Sequence, residues 1–176
     1  MRPPIRTLLT AADIEARVNA LADEIAPRLQ PDVVMITLLT GAFVFAADLA
    51  RALSARGVPV CLDFMILSSY GSGTTSSGSI TTRLDCRQDL TGRQVLLVDD
   101  ILDTGTTLDF AKRTLLAKGA TQLFTCVLLD KPTRRKVPVE VEFIGFQVPD
   151  LFVVGYGIDY NEMYRELPYV ATLAAP

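Results

Sequence analysis

Apolar residues in this chain alternate between short unbroken runs and longer stretches at helical spacing. In residues 11–29, AADIEARVNALADEIAPRL, Ile14, Val18, Leu21 and Ile25 fall on one helical stripe, with Asp13 and Glu15 near the positive end of the helix dipole. VVMITLL (33–39) reads as a buried strand stopped at Thr40-Gly41, and AFVFAADLARALSARG (42–57) as a helix ended by Gly57. PVCLDFMIL (59–67), QVLLVDD (94–100) and QLFTCVLL (122–129) are further strands, and a helix runs from about 106 to 118, closed by Gly119. VEVEFIGF (139–146) alternates and FVVGYGI (152–158) is largely apolar, so both read as strands, with YVATLA (169–174) a weaker one.

Strands separated by helices imply βαβ units, hence an α/β fold with a mostly parallel central sheet covered on both faces. Ligands of such sheets sit beyond the carboxyl ends of the strands. Thr40-Gly41, residues 99–107, Asp130-Lys131 and Gly155–Asp159 all fall there. No internal repeat or linker is evident, so residues 1–176 are expected to form a single domain. The polar segment SSYGSGTTSSGS (68–79) interrupts the pattern. A loop of this length inside a compact domain is uncommon unless it acts as a lid, here placed at about 68–82. It carries neither nucleotide motif: a third glycine is missing from Gly71-x-Gly73-x-x-Ser76, and Ser79-Ile80 stands where a phosphate loop needs Lys-Ser/Thr.

Composition narrows the chemistry. The chain is 49% hydrophobic, has no run approaching the roughly 18 apolar residues of a membrane span, and opens without a secretory apolar region. A cytoplasmic location with no membrane partner is expected. Cys61, Cys86 and Cys126 are odd in number and widely spaced, which disfavours a disulfide framework or zinc site. The absence of histidine removes Ser-His-Asp and Cys-His mechanisms and every His-ligated metal, leaving Asp, Glu, Lys or Tyr for proton transfer. A net charge of −3 without a long basic block argues against general nucleic-acid binding. One basic cluster, LDKPTRRK (129–136), is left without an assignment.

The densest polar chemistry lies in VLLVDDILDTGTT (95–107). Unpaired amides at the start of the 106–118 helix favour an anion, Gly105 allows close approach, and Thr104, Thr106 and Thr107 add hydroxyl donors: a cradle for a phosphate monoester. Asp99 and Asp100 are paired acceptors suited to a sugar diol or a hydrated Mg²⁺. Asp103 stands between the two groups. One aspartate or threonine here would ordinarily be a helix cap. Three of each around one glycine make that reading inadequate.

This stretch resembles the PRPP (phosphoribosyl pyrophosphate) motif of type I phosphoribosyltransferases. LLTGAFVFAADL (38–49), LSSYGSG (67–73), LLDKPTRR (128–135) and VEFIGFQVPDLFVVGYGIDYNEMYRELPYV (141–170) resemble the hypoxanthine-guanine branch, so the likeness covers roughly 11–172. It implies a type I phosphoribosyltransferase fold with a small hood and a flexible active-site loop. It also implies purine salvage: 5-phosphoribose passes from PRPP to hypoxanthine or guanine, giving IMP or GMP and pyrophosphate.

The resemblance also implies roles. Asp103, Thr104, Gly105, Thr106 and Thr107 would hold the 5′-phosphate, Asp99 and Asp100 the ribose hydroxyls, and Asp103 would be the acid/base near the purine N7. Lys131 would donate to the 6-oxo group, Phe152 would stack on the base, and the Val153 backbone would read its edge. Arg165 and Thr40-Gly41 would contact pyrophosphate, Ser69-Tyr70 would belong to the lid, and Asp159, with Asp99 and Asp100, would face Mg²⁺. Charge argues for the cation too, since grouped carboxylates would repel a polyanionic substrate. Homodimers or homotetramers are usual in the family. The sequence departs from the branch at Asp99, where Glu is frequent, and at Thr40, where Lys or Arg is frequent. Two other readings stay open: a phosphoribosyltransferase-fold nucleotide sensor that binds nucleic acid, and a transferase for another base such as xanthine.

Overall fold

The computed structural model describes residues 3–69 and 80–173. Thr10 and Asp13 form a reciprocal capping box, the Asp13 amide donating to the Thr10 hydroxyl and the Thr10 amide to the Asp13 carboxylate. It starts α1 (Ala11–Ile25), whose Ile14, Val18, Leu21 and Ile25 are buried as their spacing requires. The other long helices are α2 (Phe43–Ser54) and α3 (Thr106–Ala117).

Nine strands occur among the described residues: β1 (Ile5–Leu9), β2 (Val34–Leu39), β3 (Cys61–Ser69), β4 (Ile80–Leu84), β5 (Gln94–Leu102), β6 (Gln122–Asp130), β7 (Phe143–Gln147), β8 (Val153–Val154) and β9 (Val170–Leu173). Six of them form a sheet in the order β4-β3-β2-β5-β6-β7, parallel throughout except for β4 at the edge. Alternation along β2 divides the core. Val33 and Met35 pack with α1 and α2 residues such as Leu21 and Phe45, while Val34 and Ile36 pack with Leu108, Ala111 and Leu115 of α3. Both faces are therefore covered. β1, β9 and β8 form a separate antiparallel sheet, with Ile5 opposite Leu173 and Val153 opposite Thr172, and this is the hood.

Several expectations need correction. β1 and β4 are strands the apolar pattern does not reveal. Part of the expected 68–82 lid is ladder: Ser69 pairs with Ile80, Ser68 with Thr81, and Leu67 with Thr82. Its polar side chains satisfy one another across the pair, Ser68 Oγ lying 3.1 Å from Thr81 Oγ1 and accepting from Arg83 Nε at 3.0 Å. Tyr70 and residues 71–79 lie outside the described residues. The strand expected over 152–158 shrinks to Val153–Val154, because positive φ at Gly155, Tyr156 and Gly157 turns the chain and the Gly155 amide donates to the Ile158 carbonyl. The one expected over 139–146 begins only at Phe143. One register step earlier the Thr125 amide is taken by the Glu142 carboxylate at 2.7 Å.

All three cysteines are free, Cys86 and Cys126 buried and Cys61 partly so. No helix among the described residues is long and apolar enough to cross a membrane.

Candidate active site

β5 carries Asp99 and Asp100 to its carboxyl end, and the chain then turns through Asp103-Thr104-Gly105 into α3. Gly105 occupies the cap position at φ +85° with no side-chain cap bond to the helix. A Cβ there would fall 2.5 Å from the Val137 carbonyl, so the turn needs glycine for conformation and for space. Asp103 makes no bond to the helix start, and Thr104 Oγ1 only a long one, accepting from the Thr106 amide at 3.4 Å, so capping leaves Asp103 without an ordinary explanation. The same hydroxyl donates to Thr106 Oγ1 at 3.2 Å. Asp99 to Gly105, Thr107 and Leu108 line a cavity of about 300 Å³. The positive end of α3 opens at this turn.

Asp99 and Asp100 are only partly exposed, and the Asp100 amide donates to Asp99 Oδ1 at 3.0 Å. Desolvation, and for Asp99 the neighbouring charge of Asp100, push the Asp99 carboxyl well above the ordinary carboxylate range; burial also raises Asp100. Two adjacent carboxylates held this way favour a cation or a set of hydroxyl donors. Asp100 packs against Gly41, and Gly41 in turn backs onto Gly157, so the turn after β2, the end of β5 and the β8–β9 connection of the hood meet at one point.

A second cavity, of about 500 Å³, is lined by Ile101, Asp103, Lys131, Arg134, Asp150, Phe152, Val153, Ile158 and Asp159. Lys131 is 5% exposed and pairs with no carboxylate among the described residues. Phe152 is 56% exposed and meets Tyr160 edge-on with ring centroids 5.5 Å apart, leaving a flat face open. Val153 is buried and anchored in the hood. Asp103 and Ile101 line both cavities.

The remaining expected residues divide. Asp159 forms an ion pair with Arg165 at 2.9 Å, and Arg165 also donates to the Gly157 carbonyl and reaches Glu162. Asp159, Asp99 and Asp100 do not make a metal cluster: among the described residues no group of three metal-ligating side chains converges. Thr40 is exposed and lines neither cavity. Ser69 is reached only as β3 backbone. Another cavity of about 460 Å³, between α1, α2 and Tyr156, contains none of the expected site residues.

The two arginines of the basic cluster, for which no role was expected, prove to belong to the site beside Lys131. Arg134 Nε stands 2.9 Å from Asp103 Oδ1 and Nη1 3.3 Å from Asp150 Oδ1. The first is a charge contact short of hydrogen-bond geometry, since that buried Asp103 oxygen has no hydrogen-bond partner among the described residues. Arg135 pairs with buried Asp130 and donates to the Asp103 carbonyl. The signal available in sequence was two arginines within five residues of a strand-end Asp-Lys.

A family model described as "Phosphoribosyl transferase domain" matches residues 5–161. A hypoxanthine phosphoribosyltransferase of Salmonella typhimurium is 43% identical over 173 residues, covering 97% of this chain and 96% of the relative. A hypoxanthine-guanine phosphoribosyltransferase of Mycobacterium tuberculosis is also 43% identical, over 94% of this chain and 84% of its own length. Among solved structures, the Trypanosoma cruzi hypoxanthine phosphoribosyltransferase in complex with the product IMP superposes with a TM-score of 0.89 at 38% identity, covering 98% of this chain and 95% of that one. Matched along nearly its whole length, the chain belongs to the phosphoribosyl transferase domain family, in its type I hypoxanthine(-guanine) phosphoribosyltransferase group.

Proposed function

We propose that this protein transfers 5-phosphoribose from PRPP to N9 of hypoxanthine or guanine, forming IMP or GMP and releasing pyrophosphate. One observation carries the reading: Asp103 is a shared wall of the cavity at the phosphate-type turn and of the cavity holding Lys131 and Phe152. A sugar phosphate in the first and a purine in the second would meet beside its carboxylate.

In the transfer, the bond between C1′ and the pyrophosphate oxygen breaks and its electron pair leaves with pyrophosphate. The N9 lone pair forms the new bond to C1′, and the Asp103 carboxylate takes the purine's proton at N7. Backbone amides of the 104–106 turn, with Thr104, Thr106 and Thr107, bind the 5′-phosphate, and Asp99 with Asp100 receives the ribose hydroxyls. Lys131 donates to the 6-oxo oxygen, Phe152 stacks on the ring, and the Val153 backbone meets its edge. Arg165 and the Gly41 backbone, with Thr40 beside it, face pyrophosphate, and water must be kept from the reacting carbon.

The donors present fit Mg²⁺ of one kind: hard carboxylate oxygens, too few to cage the ion, that leave most of its shell to substrate oxygens and water. Asp99 and Asp100 would hold one ion at the sugar and Asp159 a second. Bound Mg²⁺ supplies neutralisation of the phosphate charges and of the departing pyrophosphate.

Contributions to one site from the central sheet and from the hood support a single functional domain. Exposed Phe43, Leu62, Phe64 and Leu84 supply apolar surface that supports a homodimer or homotetramer. The test is direct: purified protein with PRPP and Mg²⁺, offered hypoxanthine, guanine, xanthine and adenine in parallel, with nucleotide formation followed by absorbance. IMP or GMP formation with rejection of adenine is expected. No nucleotide from either hypoxanthine or guanine would refute the assignment.

A further inference from the structure

Three successive carbonyls of the candidate phosphate turn are held from behind by one segment of the chain. The Lys131 amide donates to the Leu102 carbonyl at 2.9 Å, Arg135 Nη1 to the Asp103 carbonyl at 2.8 Å, and the Lys136 and Val137 amides to the Thr104 carbonyl at 2.9 and 3.0 Å. Only one of these donors is a side chain. In a trans peptide the N–H points opposite to the C=O, and none of these peptides is cis. Holding the Asp103 and Thr104 carbonyls back therefore turns the Thr104 and Gly105 amides away from the 131–137 segment. Neither amide has a hydrogen-bond partner among the described residues.

The side chain that does this is fixed by charge. Arg135 is largely buried, and its second nitrogen pairs with Asp130, which is 4% exposed. A guanidinium can serve two acceptors at once because its donors form a rigid fork. Asp130 also sits close behind a site already carrying Asp99, Asp100 and Asp103. Without Arg135 its carboxylate would be a buried, uncompensated negative charge on the far side of a turn meant for an anion.

We propose that Arg135 is a positioning residue for the phosphate turn: bridging the Asp130 carboxylate and the Asp103 carbonyl, it presents the Thr104 amide to the 5′-phosphate of PRPP, beside the Gly105 amide that the Lys136 and Val137 backbone turns the same way. The proposal rests on the function argued above for the identity of the anion, but the bridge itself does not. It also gives the basic cluster a division of labour, with Lys131 facing the base cavity, Arg134 facing Asp103 and Asp150, and Arg135 behind the turn.

The test compares the wild type with Arg135→Gln and with the double variant Asp130→Asn/Arg135→Gln. The single variant strands the Asp130 charge and releases the turn, so thermal stability and PRPP affinity both fall, the affinity by on the order of tenfold or more in calorimetric titration with Mg²⁺. The double variant removes the stranded charge. Its thermal stability returns toward wild type while its PRPP affinity stays low, a split that a purely structural ion pair would not produce. Amide hydrogen exchange reads the bridge without any ligand: Lys136 and Val137, which donate to Thr104, exchange faster in both variants. Should the single variant fail to fold, the double variant alone carries the test. Unchanged exchange at Lys136 and Val137, or wild-type PRPP affinity in the double variant, would overturn the proposal. Failure of the wild type itself to bind PRPP would instead strike the proposed function, and the exchange data would still decide the role of Arg135.

Discussion

The Asp100 carboxylate lies so close to the Gly41 backbone that a methyl group on Gly41 would fall 1.8 Å from Asp100 Oδ2 and 2.7 Å from its Cγ. The room behind is closed as well, because the Gly41 carbonyl abuts Gly157. Gly41→Ala must therefore push Asp100 off its position or spread the turn after β2 from the β8–β9 connection of the hood. With Asp100 in its proposed role at the ribose, such a displacement should cost about 10²-fold in turnover with PRPP. Overpacking costs about 1–3 kcal/mol of stability. Steady-state kinetics and denaturant unfolding check the two effects. A variant with wild-type kinetics would show that the Asp100 position is immaterial to the reaction.

The Asp99–Asp100 pair ties activity to a stability cost with a definite sign in pH. Burial and the charge of Asp100 raise the Asp99 carboxyl well above the ordinary range, so the folded protein binds that proton more tightly than the unfolded chain does. The resulting stability is present below the unfolded carboxylate value and is lost as pH rises through the raised folded value. Asn cannot ionise and escapes that loss. Asp99→Asn should melt at the wild-type temperature near about pH 3.5, below the ordinary aspartate value. It should melt at a higher temperature than the wild type near about pH 8, with turnover reduced because the proposed ribose contact has lost its charge. Equal melting temperatures at both ends of the range would contradict the assigned shift.

How much of this could be read in the chain depended on whether burial left a pattern in sequence. β2, β5 and β6 are buried on both faces and read as apolar runs, and α1 to α3 carry helical stripes, with Gly57 and Gly119 marking the ends of α2 and α3, whereas α1 stops at Ile25, short of the expected 29. β4 is an edge strand whose residues after Ile80 are all exposed, so ITTRL offers no apolar alternation. β1 finds its partner β9 at the opposite end of the chain, a pairing no local window reports. The site divides in the same way. The turn at 103–105 announced itself because its chemistry is contiguous. Arg134 and Arg135 did not, because each acts across a fold contact, on Asp103, Asp130 or Asp150.

Asp103 faces both cavities but makes no cap bond to α3, so its carboxylate is dispensable to the turn's backbone. Asp103→Asn should lower turnover by about 10²–10⁴-fold, the usual loss when a positioned acid/base is removed. PRPP affinity should stay near wild type, because the proposed hold on the phosphate is through amides of the turn and not through this carboxylate. Calorimetry beside single-turnover kinetics separates the two. Affinity falling in parallel with turnover would make Asp103 a substrate-binding group instead of a proton carrier.

Lys131 is a buried ammonium with no carboxylate partner among the described residues, an arrangement that costs stability unless a ligand uses it. Met matches its length without the charge, so Lys131→Met should leave the melting temperature unchanged or raise it. Selectivity should move the opposite way. A donor facing the purine 6-position accepts an oxo group and rejects an amino group, and a buried polar group left unpaired discriminates strongly. Loss of that donor should lower kcat/KM for hypoxanthine by about 10²-fold and shrink the hypoxanthine-to-adenine ratio by at least about tenfold. A general packing defect lowers stability and leaves the ratio alone; a specificity group lowers the ratio and leaves stability alone. Melting curves and kcat/KM for the two bases, taken on one preparation, separate these outcomes, and an unchanged ratio would remove Lys131 from base recognition.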